Sequence, residues 1–248
     1  MFGAYADDYE RWRPGYPAAA VHWLVPPGAA RVADVGAGTG KLTGALLARG
    51  LQVAAVEPDP GMLAVLTRLH PGADPYLAGA QALPLPDASL DAVLVAQAWH
   101  WFPHQQAVAE VRRVLRPGGW LALVWNGPDP REPWELELAS LDPDNAGRDV
   151  TADRRTLDVA GLPAGELETA SFPWTWPVSA ADLRARLATH SAFVMMDADQ
   201  RERRLGAAAA AVAAEAGRRG TPTVPLRQVA GCVRWQPEPT GKQGGQRA

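Results

Sequence analysis

Three glycines and a carboxylate in the first quarter of the chain have the types and spacing of a ligand-binding turn. The glycines are spaced G-x-G-x-G from Gly36 to Gly40, directly after the apolar segment Arg31–Val35. Glycine lets a strand turn sharply into a helix and lets a ligand approach the backbone without meeting a Cβ atom. Glu57 ends the next apolar segment, where a carboxylate accepts hydrogen bonds from two ribose hydroxyls. The pattern predicts a nucleotide-type site.

The glycine spacing narrows the kind of ligand. A dinucleotide fingerprint reads G-x-G-x-x-G and seats a pyrophosphate at the helix N-terminus. Here the third glycine, Gly40, lies one residue earlier than in that fingerprint. The helix therefore begins at a different position after the turn, which disfavours pyrophosphate binding at its N-terminus. A nucleoside without phosphates that carries an amino-acid tail fits better, and a nicotinamide-dependent oxidoreductase is the less favoured alternative. A purely structural turn is disfavoured because strand, turn, helix, strand and acid occur in order.

The turn lies in a regular succession of strand-like and helix-like segments. Strand and helix alternate from residue 31 to residue 125, which predicts a parallel sheet with right-handed crossovers. Predicted strands are Arg31–Val35, Gln52–Val56, Tyr76–Ala78, Leu90–Val95, Trp120–Trp125, Glu168–Val178 and Val224–Trp235. Predicted helices are Pro17–Leu24, Leu42–Arg49, Gly61–Leu69, Gln105–Leu115, Ala180–Met196 and Ala198–Arg219.

The length suits one domain, with variable regions outside the core. We predict a single domain over 1–235, with a cofactor-binding core over 30–126. A Pro-, Asp- and Gly-rich cap or insertion covers 127–167, and closing strands and helices cover 168–235. The polar tail 236–248 is predicted to be disordered.

Composition excludes several function classes. The net charge of -3 and the pI near 6.0 do not indicate the basic surface that nucleic-acid-binding proteins usually have. A single cysteine, Cys232, excludes an intramolecular disulfide framework and a Cys-rich zinc site, so no metal is expected. No secretory signal and no run of about 18 apolar residues is present, so we expect no membrane partner and a cytoplasmic location. The oligomeric state is left open.

Four sequence motifs, taken in their order along the chain, resemble those of the class I S-adenosylmethionine-dependent methyltransferases. The resemblance is greatest to the small-molecule methyltransferase type 11 group. Asp34-Val-Gly-Ala-Gly-Thr-Gly40 resembles the group's first motif, and Val56-Glu-Pro-Asp59 followed by Met62 resembles its second-strand motif. The segments 83–91 and 115–119 resemble those before its fourth and fifth strands. The resemblance implies an α/β, Rossmann-like, doubly wound, mostly parallel seven-stranded sheet with helices on both faces. It also implies methyl transfer from S-adenosylmethionine, with S-adenosylhomocysteine as product.

Two further segments resemble one subgroup of that family. The N-terminal stretch from Tyr9 to Pro17 is similar to a Y-x-x-x-R-P-x-Y-P pattern, and Gln97 to Phe102 to a Q-A-x-H-W-F stretch. The implied acceptor is an oxygen, nitrogen or carbon atom of a small molecule. A module that binds the cofactor without transferring methyl remains an alternative. A nucleic-acid methyltransferase is disfavoured by the net negative charge of the chain and by the absence of an N/D-P-P-Y-type motif from the sequence.

The resemblance also implies residue roles. The glycine turn with Asp34 would hold the methionine end of the cofactor, Glu57 the ribose, and Met62, Ala80 and Gln81 the adenine. Gln97 and Ala98 would line the methyl-donor pocket. Residues implied to bind the cofactor are Asp34, Gly36, Ala37, Gly38, Thr39, Gly40, Glu57, Pro58, Met62, Ala80, Gln81, Gln97 and Ala98. The implied lid is Tyr9, Arg13 and Tyr16, in which Arg13 pairs either with the cofactor carboxylate or with an acidic substrate.

The expected chemistry is an in-line displacement on an already activated methyl group, so the protein mainly aligns the acceptor and excludes water. A hydroxyl or ammonium acceptor needs a general base. His100 is the candidate, with packing between two tryptophans as its alternative. Trp99 and Trp101 are candidates for an acceptor wall, with core packing as the alternative.

Overall fold

The computed structural model describes residues 6–145 and 159–238, which contain seven strands and nine α-helices. The strands are β1 Arg31–Val35, β2 Gln52–Glu57, β3 Asp74–Leu77, β4 Leu90–Ala96, β5 Leu115–Pro128, β6 Leu167–Val178 and β7 Val224–Trp235. The helices are α1 Ala6–Trp12, α2 Ala18–Leu24, α3 Lys41–Leu47, α4 Pro60–Leu69, α5 His104–Val114, α6 Pro133–Leu141, α7 Ala180–Ala188, α8 Ser191–Val194 and α9 Ala198–Arg219.

The seven strands form one sheet in the order β3-β2-β1-β4-β5-β7-β6. Strands β1 to β5 pair in parallel, and β7 pairs antiparallel with both β5 and β6. The predicted α/β class and the mostly parallel seven-stranded sheet are therefore confirmed. The strand order reverses between β1 and β4, and ligands of open α/β sheets bind at such a switch point.

Helices cover both faces of the sheet because successive strand residues point to opposite sides. On one face, Val93 and Val95 of β4 belong to an apolar cluster that includes Val111 of α5. On the other face, Ala92 and Leu94 belong to a cluster with residues of α2 and α3. All four β4 side chains are buried, which explains the unbroken apolar run of this strand.

The C-terminal helices form a third apolar cluster at the far end of the sheet. Leu183 and Leu187 of α7 pack in this cluster with Phe193 of α8 and Val212 of α9. Val224, the first residue of β7, is also fully buried in it. This packing holds helix α7 against α9 and α8, and α7 contributes one residue to the site described below.

Three local features differ from the sequence-based expectations. The segment before Pro14, expected to be a lid without assigned structure, forms helix α1. The predicted helix Ala180–Met196 is interrupted at Thr189 and His190, which separate α7 from α8. Strand β5 extends through Pro128, beyond the predicted end at Trp125, because its last residues pair with β7 as far as Gln228.

The domain boundaries remain predictions. Within the segment 127–167, the described part contains α6 and two short 3₁₀ turns, and residues 146–158 lie outside the described residues. Of the predicted disordered tail, residues 236–238 form neither helix nor strand, and 239–248 lie outside the described residues. None of the described helices is long and apolar enough to cross a membrane.

Candidate functional site

The glycine bend leaves β1 at the switch point of the sheet. Gly36 has a φ of 69°, and an ideal Cβ there would lie 2.7 Å from Ala98 Cβ, so the position accepts only glycine without displacement. Gly38 has a φ of 57° but no atom within 4 Å of such a Cβ. The bend is therefore packed against the β4 end at Gly36 and open at Gly38. The backbone N–H groups of Gly36 and Ala37 donate to Val56 O of β2 at 2.8 and 3.1 Å.

Glu57, at the tip of β2, lies against the glycine bend as the sequence predicts. Its carboxylate accepts hydrogen bonds from the backbone N–H of Gly38 at 2.8 Å and of Asp59 at 2.9 Å. The residue is 8% exposed, and burial raises the pKa of its carboxyl above the ordinary value. The two hydrogen bonds act in the opposite direction, because they stabilise the ionised form. Each carboxylate oxygen has a second lone pair, so the group retains capacity to accept hydrogen bonds from a ligand.

Asp34, the fourth residue of β1, is fully buried below the bend. Its Oδ2 accepts a 2.6 Å hydrogen bond from Thr43 Oγ1, whereas Oδ1 has no hydrogen-bond partner. Burial raises the pKa of this carboxyl to about 7, although the bond from Thr43 opposes the shift. A buried acceptor without a partner is costly in a folded protein and is typical of a functional position.

Helix α1 covers the bend through a residue that the sequence analysis missed. Glu10 accepts a 2.6 Å hydrogen bond from Thr39 Oγ1 and forms a 2.7 Å ion pair with Lys41. Tyr9 and Ala6 of the same helix pack with Met62 and Val65 of α4. No local pattern marks Glu10, because its partners lie about 30 residues away on another element.

A cleft opens between the bend, helix α1 and the ends of β4 and β5. It contains about 510 Å³ of space between the protein atoms, part of it open to solvent. The predicted residues that line it are Tyr9, Arg13, Tyr16, Gly36, Ala37, Gly38, Thr39 and Gln97. The lining residues that the sequence analysis did not single out are Pro14, Lys41, Leu42, Ala96, Asn126 and Arg186.

Gln97 is held in an uncommon backbone conformation at the end of β4. Its φ is 59°, in the left-handed region that residues other than glycine seldom adopt. The backbone N–H donates to Val124 O at 2.9 Å, and the side-chain Nε2 donates to Asn126 O at 3.2 Å. Such strain persists where surrounding structure imposes it, and it concentrates at functional sites.

Four predicted residues after β4, Ala98 to Trp101, do not line the cleft. Trp99 is fully buried in the core, where its Nε1 donates to Ala160 O at 3.1 Å. Of the two alternatives for Trp99, the structure shows core packing, because β4 continues into a 3₁₀ turn that points this ring inward. Trp101 is 63% exposed and His100 is exposed, with their rings 4.9 Å apart.

The remaining predicted cofactor residues differ in burial. Met62 and Ala80 are buried, Ala98 is half-buried beside Gly36, and Pro58 and Gln81 are exposed. Gly40 is the N-cap of helix α3, with a φ of 95°. The structure thus brings the bend and Glu57 together, with Asp34 near the end of strand β1, which leads into the bend.

The far wall of the cleft is cationic. Arg13 donates from Nε to Thr189 Oγ1 at 3.2 Å and lies 5.1 Å from the ring centroid of Tyr9. Arg186 of α7 lines the same cleft and is 8% exposed. Tyr16 also lines the cleft, and burial raises the pKa of its hydroxyl well above the ordinary value, so it stays neutral.

Known proteins match both the sequence and the fold. The family model described as a methyltransferase domain matches residues 33–123. An uncharacterized methyltransferase of Mycobacterium tuberculosis is 52% identical over 158 residues, which are 63% of this chain and 63% of that protein. The aligned part thus spans less than two thirds of that relative's length. A putative type II methyltransferase structure from Anaeromyxobacter dehalogenans is 29% identical, with a TM-score of 0.67, and the match covers 90% of this chain and 96% of that one.

A longer alignment decides the family. An uncharacterized methyltransferase of Schizosaccharomyces pombe is 31% identical over 202 residues, which are 79% of this chain and 80% of that protein. The alignment extends well beyond the glycine bend and the β2 tip that carry the motifs. The chain therefore belongs to the methyltransferase family, as its motifs predict.

Proposed function

We propose that the chain binds S-adenosylmethionine in the cleft and transfers its methyl group to an oxygen, nitrogen or carbon atom of a small molecule, with S-adenosylhomocysteine as product. The observation that carries the proposal is the pair of buried carboxylates beside the bend. Asp34 keeps an unpartnered Oδ1, and Glu57 keeps free acceptor capacity at the tip of β2. These acceptors suit the ammonium and the ribose hydroxyls of that cofactor.

The open space at Gly38 supports the same cofactor. A ligand approaches the bend there without meeting a side chain, whereas the Gly36 side of the bend is closed by Ala98. We assign the bend and Asp34 to the methionine end and Glu57 to the ribose. Met62, Ala80 and Gln81 are assigned to the adenine, and Gln97 with Ala98 to the methyl-donor pocket. The outer assignments, Pro58 and Gln81, depend on the family resemblance alone.

When bound, S-adenosylmethionine supplies a methyl group that its sulfonium already activates. The residues of this chain then have to orient the acceptor and exclude water. Tyr9, Arg13 and Tyr16 line the cleft and are proposed as its lid. His100 as general base, and Trp101 as part of an acceptor wall, stay predictions that a variant has to decide, since both side chains are exposed.

Two alternatives require tests. A module that binds the cofactor without transferring methyl would have the same bend and carboxylates, because the cofactor and acceptor sites are separate. A nicotinamide-dependent oxidoreductase is disfavoured by the early third glycine.

Titration calorimetry with S-adenosylmethionine and, separately, NADH tests the cofactor. We expect binding of the first and not of the second, and binding of NADH alone would overturn the proposal. Mass spectrometry of the purified protein provides an independent check for retained cofactor. Formation of S-adenosylhomocysteine across a panel of small carboxylic acids, phenols and amines then tests transfer. If the cofactor binds and no acceptor in the panel supports its turnover, the non-catalytic alternative is favoured.

A further inference from the structure

The buried charges of the molecule fall into two groups. Two of them are structural, because each is ion-paired: Glu135 with Arg227 at 3.0 Å and Glu215 with Arg219 at 2.5 Å. The others lie at the bend or in the cleft. Among the described residues, the buried carboxylates and basic side chains are Asp34, Glu57, Glu135, Arg186 and Glu215.

Arg186 is the one buried cation among the described residues, and its surroundings do not neutralise it. Its Nε has no hydrogen-bond partner, and Nη2 donates to Gln228 Oε1 at a long 3.3 Å. The guanidinium carbon lies 4.8 Å from the ring centroid of Trp176. Within residues 6–145 and 159–238, no carboxylate forms an ion pair with it.

The nearby titratable groups leave Arg186 charged. Burial, followed by the positive charge of Arg13, lowers its pKa to about 10, and the negative charge of Asp142 opposes the shift. The Asp142 carboxylate lies 3.4 Å from His190 Nδ1. The guanidinium remains protonated at neutral pH, and a buried charge without a counterion destabilises the folded protein. A ligand that supplies the counterion would remove this cost.

The position of Arg186 separates it from the proposed cofactor end. Its partner Gln228 lies on β7, opposite Pro128 at the end of β5. In the order β1-β4-β5-β7, β7 is three strands from β1, which is roughly 14 Å at the usual strand spacing. Arg186 nevertheless lines the same cleft as the bend. Arg186 is therefore placed to contact a second ligand that binds beside the cofactor.

Arg13 adds a second cation to the same wall. Its Nε donates to Thr189 Oγ1 at 3.2 Å, and that hydroxyl donates to the backbone O of Arg186 at 2.7 Å. Thr189 thus anchors the Arg13 side chain at the end of α7, the helix that carries Arg186. The planar guanidinium group can donate two parallel hydrogen bonds to the two oxygens of a carboxylate. These hydrogen bonds are stronger than those between neutral groups because both partners are charged.

We propose that Arg186, assisted by Arg13, forms a subsite for a carboxylate of the methyl acceptor, so that the acceptors are small carboxylic acids. The inference rests on the proposed function, because it assigns the second ligand of that cleft. The other source of the same chemistry is the carboxylate of the cofactor, and the experiment separates the two.

Binding to protein saturated with S-adenosylhomocysteine tests the subsite without turnover. The probes are succinate and benzoate, with succinamide and benzamide as uncharged counterparts and inorganic phosphate as a different anion. Calorimetry compares wild type with Arg186→Gln and Arg186→Lys. The matched control is Arg184→Gln, two residues away on the same helix, where Arg184 is solvent-exposed and pairs with Glu202.

We expect at least one carboxylate to bind wild type while the amides do not. Arg186→Gln should weaken that binding about tenfold or more, the scale of a lost charged hydrogen bond, with partial recovery in Arg186→Lys. Arg184→Gln should bind as wild type does, and S-adenosylmethionine affinity should stay within about threefold in all variants.

Four outcomes would overturn the inference. These are equal binding of amides and carboxylates, tighter binding of phosphate, no binding of either carboxylate, and an equal loss of cofactor affinity in Arg186→Gln. The last outcome would assign Arg186 to the cofactor. Failure of wild type to bind S-adenosylmethionine or S-adenosylhomocysteine is a separate result, which would remove the proposed function itself.

Thermal unfolding of the wild type and Arg186→Gln provides a second readout. Removal of an unpaired buried charge should raise the melting temperature of the ligand-free variant above that of wild type. Succinate or benzoate should raise the melting temperature of wild type and leave that of Arg186→Gln unchanged. A variant that melts lower than wild type and still binds carboxylate would show that Arg186 is a structural charge. If Arg186→Gln does not fold, Arg186→Lys and the carboxylate dependence of wild-type melting decide the question.

Discussion

The two ends of the cleft are built in different ways. The bend, Asp34 and Glu57 lie within one stretch of 24 residues, and backbone N–H groups of Gly38 and Asp59 donate to the Glu57 carboxylate. At the other end, Arg13 meets Thr189, which is 176 positions away along the chain. Asn126 Nδ2 donates to Gly15 O, 111 positions away. The first end depends on local backbone geometry, and the second on side chains that tertiary packing assembles.

The two ends also differ in charge. Buried carboxylates flank the bend, whereas two guanidinium groups line the far wall. A ligand pair with a cationic group near the bend and an anionic group near α7 would complement both. The contrast explains why motifs identify the cofactor end and leave the acceptor end unmarked, since only the first is continuous in sequence.

The largest expected effect comes from Gly36→Ala, which tests the backbone at the cofactor end. The new Cβ would lie 2.7 Å from Ala98 Cβ at a φ of 69°. Strain and overpacking together should lower the free energy of unfolding by about 2–4 kcal/mol, measured by urea denaturation. Gly38→Ala is the matched control, because a Cβ there meets nothing within 4 Å. It has the strain of a positive φ of 57° without the overpacking, so it should destabilise the fold less than Gly36→Ala, and it should weaken cofactor binding. Equal destabilisation by both variants would refute the distinction between a packed and an open glycine.

Glu57→Ala tests the polar side of the same end. We expect S-adenosylmethionine to bind more weakly by about 1.5–3 kcal/mol, roughly ten- to 150-fold, the scale of hydrogen bonds to a charged group. Calorimetry provides the measurement. Glu202→Ala removes an exposed carboxylate far from the bend and should leave the affinity unaltered. Unchanged affinity in Glu57→Ala would contradict the ribose assignment.

Asp34→Asn tests the buried charge by its pH dependence. Burial raises the pKa of Asp34 to about 7 in the folded protein, above the ordinary value of 3.8. Folding therefore favours the protonated side chain, so its stabilising contribution is present below about pH 4 and is lost as the pH rises through 7. Asp34→Asn should flatten the decline in stability of the ligand-free protein between these pH values. The pKa of Glu57 is also raised, so the stability of Asp34→Asn should still decline as the pH rises, with a smaller slope than that of wild type.

Chemical denaturation of wild type and Asp34→Asn at pH 4, 5.5 and 7 provides this measurement. Parallel stability curves for the two proteins would show that Asp34 ionises in the folded state as it does in the unfolded state.

The smallest expected effect is that of His100→Ala on cofactor affinity. His100 is exposed, so S-adenosylmethionine should bind within about twofold of wild type. Turnover of the true acceptor decides its role: a loss that Trp101→Ala does not reproduce would support a general base. Unchanged turnover would remove His100 from the mechanism and leave the acceptor end to the residues around α7.

The fold was predictable where apolar segments are long and continuous. The seven predicted strands all exist, and β1, β2 and β4 lie close to their expected bounds because their runs are buried on both faces. Helix α1 was missed because seven residues with charges on either side carry no clear periodicity. The break at Thr189 and His190 follows from tertiary contacts with Arg13 and Asp142, which helix propensity does not report.

By itself, the sequence determined the family and the proposed cofactor end: the bend, Asp34 and Glu57 are spaced along consecutive elements whose order fixes their proximity. Only the tertiary structure decided that Trp99 is a core residue, that Glu10 bonds Thr39 of the bend, and that Arg186 is buried with no carboxylate partner among the described residues. The physical reason is that a motif records neighbours along the chain. Desolvation and charge pairing depend instead on every element that packs around a residue.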